Sequence, residues 1–100
     1  MSIIIAGAVR VPPGNVERFR PAMESMLAAS RGEDGCVVYS YAVDVEDPGL
    51  IRVFEVWRDR ASLEAHFKTS YMAAWRAAWP DFEVTDRKLI AYEVGAEYPI

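Results

Sequence analysis

From Ile3 to Val11 the chain is apolar at both parities, with Ile3, Ile5 and Val9 on one and Ile4, Ala6 and Ala8 on the other. A strand apolar on both faces has to be covered on both. Pro12-Pro13-Gly14 ends it, and Asn15 is a good helix N-cap. From Val16 to about Ser30 the period becomes helical. Val16, Phe19, Met23 and Met26/Leu27 fall on one face, with Glu17, Arg18, Glu24 and Ser25 mostly opposite. Pro21 lies inside this stretch and is expected to kink or loosen the helix near Glu17 to Arg20. Gly32 supplies the stop.

Cys36 to Val45, rich in Val and Tyr, reads as a second strand. Asp47-Pro48-Gly49-Leu50 has Pro and Gly where a type II turn wants them, so Ile51 to Trp57 is the return strand of a hairpin. Asp59 caps a short helix, Arg60 to Phe67, that buries Leu63 and Phe67. Thr69 or Ser70 restarts a second segment from Tyr71 to Trp79, with Met72, Trp75 and Trp79 at helical spacing, and Pro80 terminates it. Val84 to Val94 is the last strand, followed by a tail that needs an external contact to be ordered. The order βαββαβ is the ferredoxin-like arrangement of an α+β domain, with an antiparallel sheet, spanning residues 1–100 as one unit.

Two helices cover only one face of such a sheet, and 52% of the residues are apolar or aromatic, among them three Trp, five Tyr and four Phe. That surplus predicts a homodimer packed sheet against sheet, a lined pocket, or both. The net charge of −4 and the scattered basic residues argue against a nucleic-acid partner. No apolar run is long enough to span a membrane. The start Met1-Ser2-Ile3-Ile4-Ile5 reads as a strand rather than a signal peptide, and the single Cys36 fits a reducing, cytoplasmic setting. One Cys and one His cannot make a conventional zinc site, so any chemistry is expected to be metal-free or to use a cofactor held without several His or Cys ligands.

Several segments resemble the antibiotic-biosynthesis-monooxygenase-like family. They are Gly35-Cys36-Val37-Val38-Tyr39, Glu46-Asp47-Pro48, the run Phe54 to His66 with its Glu55-Val56-Trp57 and Leu63-Glu64-Ala65-His66, and Ser70-Tyr71-Met72. The resemblance implies a dimeric α+β barrel with a pocket in each subunit between sheet and helices. Its members include cofactor-independent oxygenases that help ionise a phenolic substrate, whose anion then passes an electron to O2. Others degrade haem or isomerise small phosphorylated compounds. Apolar Val53 and Leu63 stand where the anthrone-oxidising branch carries polar groups, and Ser70-Tyr71 stands where Pro-His is common. The pattern is nearer the quinol-oxidising members.

Candidate chemistry centres on His66, the one side chain with an ordinary pKa near neutrality and hence the default general base. Trp57, Phe67, Tyr71, Met72 and Trp75 are the expected pocket wall around a small aromatic substrate and O2. Each has a plainer reading as core. Glu55 is charged within an apolar strand and is expected to pair with Arg52, Arg10 or Arg87. Cys36 reads as a buried inert thiol. Tyr39 and Tyr41 share a strand face that belongs either to the pocket or to a subunit interface. Two other functions compete with oxygenation: a dimer binding haem or another flat ligand through His66, and a small-metabolite isomerase using Arg58 and Arg76.

Overall fold

The computed structural model describes residues 1–100. Strand β1 (Ile3–Arg10) leads to helix α1 (Val16–Arg31), then strands β2 (Cys36–Val43) and β3 (Leu50–Trp57). Two short helices follow, α2 (Arg60–Phe67) and α3 (Ser70–Ala78), and strand β4 (Thr85–Glu93) closes the chain. The sheet order is β2-β3-β1-β4, antiparallel throughout. This is the expected ferredoxin-like topology, and no helix is long and apolar enough to cross a membrane.

The hairpin turn forms as its sequence requires, with the Leu50 amide donating to the Asp47 carbonyl at 3.1 Å. Three local expectations change. Helix α1 runs unbroken through Pro21: the proline forfeits one bond near an exposed N-terminal turn, and the buried face of Val16, Phe19, Met23 and Met26 holds the rest together. Asn15 makes no capping bond. Its side-chain amide instead donates to the Phe82 carbonyl at 3.1 Å, tying the start of α1 to the turn before β4. Pro80 does not simply end α3; it sits within a 3₁₀ turn, Trp79–Phe82.

The odd-numbered positions of β1 and β3 point to the helices. Ile3, Ile5, Val9, Ile51, Val53 and Trp57 are buried there against Phe19, Met23, Met26, Leu63, Met72 and Trp75. The opposite face carries the row Phe54–Ala6–Ile90, with Ile4, Val56 and Tyr92 beside it. Phe54, Ile90 and Tyr92 are 43%, 44% and 53% exposed, so within one chain this apolar face has no cover.

Strand β1 approaches β4 closely at Gly7, opposite Leu89, where any side chain would run into the Lys88 carbonyl. Beyond this point the register slips: Ala8 pairs with Lys88, but Arg10 pairs with Thr85. Strand β4 thus has one residue more than β1 here, and Asp86 takes up the excess with a left-handed backbone, φ 50°. Such a bulge re-aims the side chains next to it.

Candidate functional site

Helix α2 begins where the sequence places it, because the Asp59 carboxylate accepts the Ser62 amide at 2.8 Å. Leu63 and His66, three apart, then share the inward face. Thr69 caps α3 and also donates its hydroxyl to the His66 carbonyl at 2.9 Å, which fixes the break between the two helices.

His66 is 1% exposed. Its Nδ1 lies 2.6 Å from the carboxylate of Glu33, in the loop after α1. The Tyr71 hydroxyl donates to the same carboxylate oxygen. An ionised Glu33 demands the imidazole proton on Nδ1, which leaves the Nε2 lone pair toward the Tyr39 hydroxyl 3.4 Å away. The Trp57 ring backs the imidazole at a centroid separation of 4.7 Å.

The second buried ionisable group is Glu55, 4% exposed on the inner face of β3. It forms no ion pair, contrary to the sequence expectation: Arg52 is bound to Asp44 and Arg10 to Asp47, and Arg87, which lines the same spaces, makes no bridge to it. Its partner is Trp57, whose indole N–H donates to Oε1 at 2.9 Å. Burial pushes the Glu55 carboxyl upward, and the Trp57 bond offsets part of that rise. Tyr39 and Tyr41 also face the helices, stacked with ring centroids 5.9 Å apart, so they belong to the interior of the subunit. Burial drives the Tyr39 phenol far above its ordinary value. Burial and, next, the neighbouring Glu55 push Tyr41 up to about 12.

These groups surround an enclosed hollow of about 30 Å³, walled by Tyr39, Tyr41, Glu55, His66, Phe67, Met72 and Trp75 among others. It has room for one molecule the size of water or O2. A wider, open cleft of about 380 Å³ lies beside it, lined by Ile5, Arg60, Leu63 and Ala91 among others. Glu55, Phe67, Arg87 and Leu89 belong to both spaces. Phe67, expected to be buried, is 45% exposed and forms part of this shared wall.

Of the residues expected around the pocket, the structure therefore brings His66, Phe67, Met72 and Trp75 to the hollow. Trp57 and Tyr71 line neither space. Trp57 is 0% exposed, packed solid behind His66, and Tyr71 holds Glu33 from the far side. Glu33 itself escaped the sequence reading, since it stands in a polar loop 33 positions before His66. Cys36 is partly buried, and burial raises its thiol, in keeping with an unreactive group. Arg58 and Arg76 do not converge: both are exposed, and Arg58 is bound to Asp34. No three His, Cys, Asp or Glu side chains gather to hold a metal.

The state of Glu55 sets a pH dependence. A carboxyl raised in the folded protein above its ordinary value near 4.5 contributes stability that is complete below that value and is lost as pH rises through the folded value. Glu55→Gln is therefore expected to flatten the fall in melting temperature between about pH 4.5 and neutrality. Melting curves of both proteins across that range check this, and parallel profiles would contradict it.

A four-stranded antiparallel sheet with helices on one face, enclosing a carboxylate and a histidine among aromatic rings, defines a ferredoxin-like α+β domain with buried ionisable groups. The chain belongs to the antibiotic biosynthesis monooxygenase family, whose sequence profile matches residues 2–78. It is 33% identical over 93 residues to the uncharacterised protein sll1783 of Synechocystis, covering 93% of this chain and spanning 63% of that relative's length. It is 25% identical over 75 residues to Bacillus subtilis YcnE, described as a "putative monooxygenase", covering 75% of this chain and 79% of that protein. A crystal structure from Deinococcus radiodurans, of a "putative antibiotic biosynthesis monooxygenase", superposes with a TM-score of 0.90 at 26% identity, over 100% of this chain and 98% of the other.

Proposed function

We propose that the protein is a cofactor-independent monooxygenase that oxidises a small quinol or related phenol with O2. The observation that carries this reading is the burial of Glu55 and His66 together in one aromatic-walled hollow, with Glu55 also facing an open cleft. The cleft lies within the size range of small-molecule sites, and the hollow is the size of a diatomic gas.

In this reading the ring sits in the cleft with a phenolic oxygen toward Glu55. The buried carboxylate, with its raised proton affinity, takes the phenolic proton, and His66 Nε2 serves as the base deeper in the hollow. Glu33 steadies the imidazolium that results, as a buried carboxylate does for a catalytic histidine. The electron-rich anion gives an electron to O2, and recombination at ring carbon forms the new C–O bond. The sum balances without a further reductant: a benzenediol plus O2 yields a hydroxybenzoquinone plus water, the quinol supplying the electrons. Glu33 occupies Nδ1 of His66, and the hollow of about 30 Å³ on its other side has no room for a macrocycle, which favours oxygenation over the haem-binding alternative.

Oxygen uptake by pure protein mixed with a reduced quinol tests the reading. The expected result is uptake above the protein-free rate, one hydroxyquinone formed per O2, and no requirement for added flavin or metal. Uptake at the protein-free rate, or hydrogen peroxide as the reduced product of O2, would defeat it.

The uncovered sheet face supports a homodimer, closed by a two-fold axis with apolar rows buried between two sheets. A Phe54→Asp, Ile90→Asp double substitution is expected to give a monomer in sedimentation equilibrium, where the parent sediments as a dimer. A monomeric parent would refute this assembly.

A further inference from the structure

We propose that the open cleft selects substrates bearing a carboxylate, which Arg60 and Arg87 hold from two sides. The inference deepens the oxygenase reading by naming the substrate class and rests on that reading only for the phenolic ring.

The chain has nine arginines and a net charge of −4, so a cation without a partner stands out. Arg10, Arg20, Arg52 and Arg58 are bound to carboxylates, and Arg18 and Arg31 to backbone carbonyls. Only Arg60, Arg76 and Arg87 have neither kind of partner, and two of these three line the same cleft from different elements, α2 and β4. Glu64 also lines it, four residues after Arg60 on α2, yet the two form no ion pair.

Arg87 is stationed rather than loose. The bulge at Asp86, whose left-handed φ of 50° is costly for a residue with a side chain, sets the direction of the strand just before it. Its guanidinium lies over the Trp79 ring, 5.3 Å from the centroid. Strain of this kind is retained where the surroundings demand a particular orientation. The Ser62 amide at the start of α2 already donates to Asp59, and the guanidinium groups are the cations that the cleft offers an anion. Glu55 and Glu64 share the cleft wall with these two cations, and Glu55 is already engaged by the Trp57 indole. The arginine fork fits the paired oxygens of a carboxylate with two parallel bonds, as it also fits a phosphate. With the carboxylate at Arg60 and Arg87, a ring attached to it extends toward Glu55, which shares the cleft wall with Arg87.

Titration under anaerobic conditions, at low salt, with a dihydroxybenzoate and with the matching uncharged dihydroxybenzene tests the proposal, read by quenching of tryptophan fluorescence. The acid is expected to bind at least about ten-fold more tightly than the uncharged ring. Arg60→Gln and Arg87→Gln should each shrink that preference, weakening the acid by a larger factor than the uncharged ring. Arg76→Gln should leave both affinities alone. Should Arg87→Gln melt abnormally, Arg60→Gln and Arg87→Lys carry the same test. Equal affinities for the two rings, or a preference that survives both glutamine substitutions, would overturn the carboxylate site. Because no O2 is present, the outcome is separable from catalysis: an acid preference without later O2 uptake removes the oxygenase reading alone, and uptake without a preference removes the carboxylate site alone.

Discussion

His66→Ala is expected to lower turnover of a quinol by about 10²- to 10⁴-fold, the range a positioned general base contributes. The loss should fall mainly on kcat, because the cleft that would bind the ring does not include His66 in its lining. Glu33→Gln should lower kcat by a smaller factor, since the amide keeps the geometry but no longer stabilises a charged imidazole. Steady-state O2 uptake, with melting temperatures as a control for folding, measures both. An alanine variant that turns over at the parental rate would remove His66 from the chemistry and leave Glu55 as the base.

The largest effect on stability is expected at Trp57. Trp57→Ala removes a fully buried indole between the sheet and His66 and should cost about 3–5 kcal/mol. Trp57→Phe keeps most of the volume but withdraws the N–H that Glu55 accepts, leaving a buried carboxyl short of a partner at a cost of about 1–3 kcal/mol. Urea unfolding followed by far-ultraviolet circular dichroism gives both numbers. Midpoints that do not move would mean that the indole and its bond to Glu55 contribute nothing net to the fold.

The alternation of Ile51, Val53, Glu55 and Trp57 identified β3 and its inner face, Asp59 identified the start of α2, and the pair Thr69 and Ser70 located the start of α3 to within a residue, Thr69 being the cap. These features are local, set by side-chain period and by the orphan amides of a helix start, so a single sequence carries them. The same alternation placed Glu55 beside Trp57 on one face but could not say which would answer the other's polarity. Two of the three expected arginine partners, Arg52 and Arg10, turned out to be committed to Asp44 and Asp47, and the third, Arg87, forms no bridge to Glu55.

What the sequence determined on its own is therefore the list and order of elements, the apolar character of both sheet faces, and the presence of one histidine at a helix break. What only the tertiary structure decided is which groups meet that histidine and how much space is left beside it. Glu33 reaches His66 from a loop that no periodicity marks, Tyr71 turns away from the hollow to the same carboxylate, and a one-residue bulge aims Arg87. Contacts of that kind depend on the packing of distant segments to within a bond length, and the hydrophobic pattern that directs each segment to the core leaves such distances undetermined.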